Sequence, residues 1–182
     1  MARNEATQAL APENIVNLAG IGTKQEDFES IPSNNKEYTI LGKGAYGYAE
    51  KMKSKLNNKI YAVKKLPVEE GGFKKELIRE TLLMLSITNK YVVRLYGYFQ
   101  GIEKIEKLKE IYKDDKNGRY QDETQDRKMY FLVLDFMSNG SLENYYENTI
   151  GKGQQIDQAY IIKIFKQILE GLKHLEEKKN NA

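Results

Sequence analysis

The sequence predicts an α+β fold: a five-stranded antiparallel sheet with one packed helix, followed by further helices. Two observations lead there. Apolar patterns run in the order three strands, a helix, two strands, then helices, which is not the alternation of a parallel βαβ sheet. The chain has 182 residues, 40% hydrophobic and 30% charged, enough to bury a core of its own.

Each element has a local reason. Residues 1–36 mix Asn, Gln, Ser and Thr with Pro12 and Pro32, and read as a disordered or weakly structured tail. Tyr38-Thr39-Ile40-Leu41 is strand-like, and a glycine-rich turn runs from Gly42 to Gly47. Tyr48 to Lys55 reads as the second strand and Ile60 to Leu66 as the third, closed by Pro67. Between them, Leu56-Asn57-Asn58-Lys59 is a hairpin turn, because Asn tolerates turn conformations. Phe73 to Thr88 has Phe73, Leu77, Met84 and Ile87 at helical spacing. Val92 to Phe99 and Met129 to Met137 are rich in Val, Tyr, Phe and Leu, as strands are.

Between those two strands, Ile102 to Lys128 holds 16 charged residues, eight of each sign. Ile102, Ile105, Leu108 and Ile111 or Tyr112 share one helical face, and the rest reads as a solvated insert. Gly140 to Glu147 suggests a short helix. Asp157 suits the N-cap of a longer one, whose stripe is Ile161, Phe165, Ile168, Leu172 and Leu175. The predicted organisation is a tail (1–36), a sheet lobe (37–137, with insert 102–128) and a helical segment (138–182).

Composition narrows the function. The formal charge of +3 is too balanced to argue for nucleic acid or a membrane as partner. With no cysteine and one histidine, thiolate zinc sites, a cysteine nucleophile and His-rich metal sites are excluded. No metal ligands are assigned. The apolar runs are too short for a membrane-spanning helix, and the polar start does not resemble a secretory signal. A cytoplasmic location is expected, with the nucleus as the alternative.

The chemistry sits in one constellation. Gly42, Gly44 and Gly47 form G-x-G-x-x-G, a weak signal alone. A dinucleotide site needs a helix directly after the loop and an acid about 20 residues on. Here a strand follows, and Lys64 stands near that position. A phosphate loop of the G-x-x-x-x-G-K-[ST] type does not fit either. What remains is a glycine hairpin whose backbone N–H groups can face an anion. Ala62 and Lys64 share one strand face, a small residue beside a point charge, whereas Lys65 reads as a surface lysine. Glu80 interrupts the apolar stripe of the helix and calls for a cation, for which Lys64 is the candidate.

In this order the motifs resemble the eukaryotic protein kinase family from about Tyr38 to Lys178. Leu41-Gly42-Lys43-Gly44-Ala45-Tyr46-Gly47-Tyr48-Ala49 is similar to the family's loop over ATP phosphates, and Ala62-Val63-Lys64 to its Val-Ala-Ile-Lys strand. Glu80 falls where the family's lysine-pairing glutamate stands. Phe131 to Met137 resembles the strand into the hinge. The resemblance makes Leu134 the gatekeeper, and gives Asp135 and Met137 backbone groups for adenine. Asn139-Gly140-Ser141-Leu142 and Ile161 to Leu175 resemble the opening helices of the second lobe. The fold implied is a kinase N-lobe followed by the start of the helical C-lobe. The implied catalytic residues are Lys64 and Glu80, and ATP is the implied cofactor.

The sequence also departs from the family. Ala49 replaces the Val expected beneath adenine. The His-Arg-Asp and Asp-Phe-Gly segments, which supply the base and the Mg²⁺ ligands, are absent, and Ala182 comes about where the first would begin. Asp27-Phe28-Glu29 and Asp135-Phe136-Met137 only mimic the second, and His174 reads as structural. Mg²⁺ is therefore expected only in a complete domain. The resemblance implies the ATP-binding portion of a Ser/Thr kinase that phosphorylates protein hydroxyls when complete. Its partners would be ATP and a protein substrate or regulator. The alternative is a non-catalytic, truncated kinase-like lobe acting through protein contacts. The insert is similar to that of kinases acting on the α subunit of translation initiation factor 2.

Overall fold

The computed structural model describes residues 20–34, 36–68, 81, 84–155 and 157–180. They divide into two units, the first running to Leu85 and resuming over Leu95–Asp135, the second formed by Ser86–Arg94 and the chain from Phe136.

The first unit is built on a sheet of six strands: β1 (Phe28–Ser30), β2 (Thr39–Gly44), β3 (Gly47–Ser54), β4 (Ile60–Pro67), β5 (Leu95–Glu103) and β6 (Arg127–Asp135). Their order is β1-β3-β4-β6-β5, with β2 also on β3, and every pairing is antiparallel. The five expected strands form, and β1 is added. β1 and β2 lie end to end along one edge of β3, β1 opposite Met52 to Ser54 and β2 opposite Gly47 to Lys51. The hairpin turn after β3 has Asn58 at φ 59°, and the Asn57 side chain accepts from the Lys59 N–H at 2.9 Å. The helix expected over 73–88 lies largely outside the described residues, as does Glu80. Thr81 and residues 84–86 are helical.

Period-two alternation decides what the sheet buries. Tyr48, Glu50, Met52 and Ser54 of β3 are all buried on one face, as are Tyr61, Val63 and Lys65 of β4. That face packs against helix α1 (Ile105–Ile111), whose Ile105, Leu108 and Ile111 are buried. Phe28, Phe99 and Phe131 stack in series, with centroids 5.5 and 5.0 Å apart. Two expectations are corrected here. The insert is not simply solvated: Tyr112 and Tyr120 are buried beside α1 and belong to the main core. The tail reading fails over 20–34, because Ile21 and Phe28 enter the same core. Aromatic area outweighs the polar composition at both places.

The second unit holds α2 (Leu142–Ile150) and α3 (Gln158–Asn180). Ser141 caps α2 by accepting from the Asn144 N–H at 3.1 Å, and Asp157 accepts from the Ala159 N–H at 2.9 Å at the start of α3. The stripe expected on α3 is rotated. Phe165, Ile168 and Leu172 are exposed, whereas Gly171 is buried. A Cβ on Gly171 would lie 3.3 Å from the Tyr91 carbonyl oxygen, so backbone proximity selects this face over side-chain bulk. Among the described residues no helix is long and apolar enough to cross a membrane.

Candidate functional site

Register places five of the predicted residues on one face of the sheet. β3 opposes β4 with Ala49 across from Lys64, and β4 opposes β6 with Ala62 across from Leu134. Gly42 of β2 lies across from Ala49. Directly opposed residues project to the same side. Gly42, Ala49, Ala62, Lys64 and Leu134 therefore share the face away from α1. Leu66, Leu95, Tyr98, Tyr130 and Leu132 form an apolar cluster on that side, with Met84, Leu85 and Leu134 packed against it. Lys64 is half-buried at its margin. At the end of β6, the Tyr96 hydroxyl donates to Asp135 Oδ1 at 2.8 Å. Met137 lies beyond the strand, exposed, in the second unit.

The glycine loop is the β2–β3 hairpin. Leu41 is the extra residue of a bulge, since Ile40 and Gly42 oppose Glu50 and Ala49 in succession. Ala45 and Tyr46 form the tip, and Tyr46 is exposed. The three glycines answer different needs. Gly47 has φ +146°, and a Cβ there would lie 2.1 Å from the Lys65 carbonyl oxygen. The fold itself requires that glycine. A Cβ on Gly42 would meet nothing within 4 Å, and one on Gly44 only the Gly47 carbonyl oxygen at 3.9 Å. Among the described residues nothing explains these two, and the missing side chains leave room for a ligand to approach the loop closely.

Two predicted contacts are corrected. Tyr48 is buried on the opposite face, with its hydroxyl donating to Glu103 Oε2. Lys43 lies across from Tyr48 and donates from Nζ to the Ile111 carbonyl at 2.8 Å. Strand alternation turns both side chains toward the insert, so at the Lys64 face they contribute backbone alone.

That opposite face holds an ionic cluster that sequence reasoning missed. Lys65, read as a surface lysine, is 1% exposed. Its Nζ donates to Glu50 Oε2 and Glu103 Oε2, both at 2.6 Å. Lys107 Nζ reaches Glu50 Oε2 at 2.9 Å, and the Ser30 hydroxyl donates to Glu50 Oε1 at 2.6 Å. Burial pushes the Glu50 carboxyl up, but the Lys65 and Lys107 charges and the hydrogen bonds from Lys65 and Ser30 outweigh it, leaving it below the usual glutamate range. Burial, with the Glu103 charge and hydrogen bond, raises the Tyr48 phenol. The signal was present in the sequence: Glu50 and Lys65 each occupy the apolar phase of a strand, and their charges match.

A protein-family model for the protein kinase domain matches residues 35–180. The chain belongs to the protein kinase family. Three kinase relatives show the range of the similarity. The chain is 30% identical to MAP kinase kinase MKK1/SSP32 of Saccharomyces cerevisiae over 77% of its own length and 23% of the relative's. It is 29% identical to the probable serine/threonine-protein kinase ifkC of Dictyostelium discoideum over 35% of this chain and 4% of that one. It is 26% identical to the eIF-2-alpha kinase GCN2 of Schizosaccharomyces pombe over 59% of this chain and 6% of that one. The chain thus spans less than a quarter of the length of each. The kinase N-lobe supplies the sheet, and the start of the C-lobe supplies α2 and α3.

Proposed function

We propose that the face carrying Lys64 binds ATP, and that the chain is the nucleotide-binding part of a Ser/Thr protein kinase. The observation that carries the reading is the pair Gly42 and Gly44. A Cβ on Gly42 would meet nothing within 4 Å and one on Gly44 only the Gly47 carbonyl oxygen, so no contact among the described residues explains the missing side chains. Lys64 stands two strands away from Gly42, across Ala49 of β3, on the same face, and its long side chain can carry an ammonium toward a phosphate held at the loop. Ala49 and Ala62 leave flat apolar room for a base, bordered by Leu134.

Bound ATP would supply the phosphoryl group that a kinase transfers to a protein hydroxyl. This chain's residues act before that step. The loop amides hold phosphate oxygens and Lys64 fixes them by charge; orienting Lys64 is the role that the family resemblance gives to Glu80, which lies outside the described residues. The acidic residues with which the family holds Mg²⁺ are not in this sequence, so none of its residues is assigned to the ion. Ser/Thr specificity follows the Dictyostelium relative's name, and action on initiation factor 2 follows the fission-yeast one.

Calorimetric titration of the chain with ATP tests the reading. Lys64→Met is expected to weaken binding about tenfold or more, as loss of a charge-assisted phosphate contact does, and to leave the melting temperature nearly unchanged. Equal affinities for both proteins would overturn it. A second reading, a non-catalytic lobe acting through protein contacts, is favoured by the exposed Phe165, Ile168, Leu169 and Leu172 of α3. A folded chain with no affinity for ATP would select it.

A further inference from the structure

We propose that Arg119 of the insert, with Lys43, is a positioning residue for the glycine loop, setting the loop's height over the nucleotide from behind. This inference rests on the ATP reading above.

The two faces of the hairpin are not equally supported. Toward the insert, a groove of about 290 Å³ separates β2 from α1, lined in part by Ile40, Leu41, Gly42, Glu110 and Ile111. Ile40 packs on the core at the base of this stretch, and beyond it a cation crosses from each side. Lys43 Nζ, from the loop, donates to the Ile111 carbonyl at 2.8 Å. Arg119 Nη1, from the insert, donates to the Gly44 carbonyl at 3.0 Å. Gly44 is one of the two glycines assigned to phosphate, so Arg119 grips the peptide next to the proposed contact.

Arg119 is itself held. Its Nε is 3.5 Å from Asp115 Oδ2, and its guanidinium lies 4.9 Å from the centre of the Tyr112 ring. Tyr112 is buried in the main core, so the guanidinium rests on a rigid base. Further support lies lower on the hairpin, where Tyr48 donates to Glu103, Tyr38 donates to Glu110 at 2.6 Å and Ile40 packs on the core. A glycine hairpin without its tip restraint samples more conformations, and the apparent affinity falls with the fraction that is competent. The insert thereby acts on nucleotide binding without touching the nucleotide.

Hydrogen–deuterium exchange of the full chain without nucleotide, with titrations of ATP and adenosine, tests this. Arg119→Ala is expected to raise amide exchange at 44–47 several-fold while β4 and β6 stay protected. It should weaken ATP by roughly threefold to tenfold, the loss of one charge-assisted hydrogen bond, and leave adenosine affinity unchanged. Arg119→Lys, which keeps a donor, should recover part of both effects, and Lys43→Met should repeat them in a weaker form. Unchanged exchange at 44–47 overturns the restraint whatever the affinities. Faster exchange with unchanged ATP affinity overturns the positioning role. If the unsubstituted chain binds adenosine but gains nothing from the phosphates, the ATP reading fails and the positioning role fails with it. The exchange result still reports on the restraint.

Discussion

Replacing Gly47 by alanine is expected to destabilise the chain by about 3 kcal/mol, a drop of roughly 6–12 °C in melting temperature. Two costs combine. Its φ of +146° is one that residues with side chains rarely adopt, and the new Cβ would meet the Lys65 carbonyl oxygen at 2.1 Å. That oxygen is main chain in the centre of the sheet and cannot swing aside. The same change at Gly42 or Gly44 meets open space, so stability should stay within about 0.5 kcal/mol. At those two positions the loss should appear in ATP affinity, because the Cβ occupies the ligand's approach. Thermal unfolding of the three variants beside an ATP titration separates the fold's glycine from the ligand's glycines.

The second large effect concerns neighbouring lysines with opposite fates. Lys65→Met should cost about 3–5 kcal/mol, because Glu50 and Glu103 would remain buried with Lys107 as their only ion-pair partner among the described residues. Lys64→Met, one residue earlier, should change stability little. The pH dependence separates the cases further. In the unsubstituted chain Glu50 is lowered, so its contribution is complete above the ordinary glutamate value and is lost as pH falls through the lowered value. In Lys65→Met, Glu50 loses the charge and hydrogen bond that chiefly offset its burial, so burial again pushes its carboxyl up. Mild acid should then stabilise that variant relative to pH 7. Chemical denaturation at pH 7 and at pH 5 checks this: Glu50 should change the stability of the unsubstituted chain little over that range, whereas the variant should be relatively more stable at pH 5, and a variant that gains nothing there would contradict the buried cluster.

The site face was legible because alternation in short strands is a local property. Ala62 and Lys64 fall in one phase, and the hairpin at Leu56–Lys59 fixes which residues of the previous strand they face. Gly42 and Gly44 were legible for the same reason. The other face was harder to read. A lysine beside a second lysine looks solvated, and nothing local shows that Glu103, 38 residues away, will meet Lys65. β1 has only three residues, too few for a periodic signal, and Phe28 is buried through distant aromatics. The insert's apolar spacing identified α1. Its charge count hid the buried Tyr112 and Tyr120, because composition averages over residues with different fates. On α3 the bulky stripe was the wrong guide, since Gly171, at the closest approach to Tyr91, sets the buried face.

The most direct test of the central claim is an amide NMR titration of the chain with ATP and, separately, adenosine. ATP is expected to move the Gly42 and Gly44 resonances together with that of Lys64, while adenosine moves signals around Ala62 and Leu134 but leaves the two glycines in place. The contrary result is that saturating ATP leaves Gly42, Gly44 and Lys64 unmoved. The bare backbone of the loop would then need a reason other than phosphate.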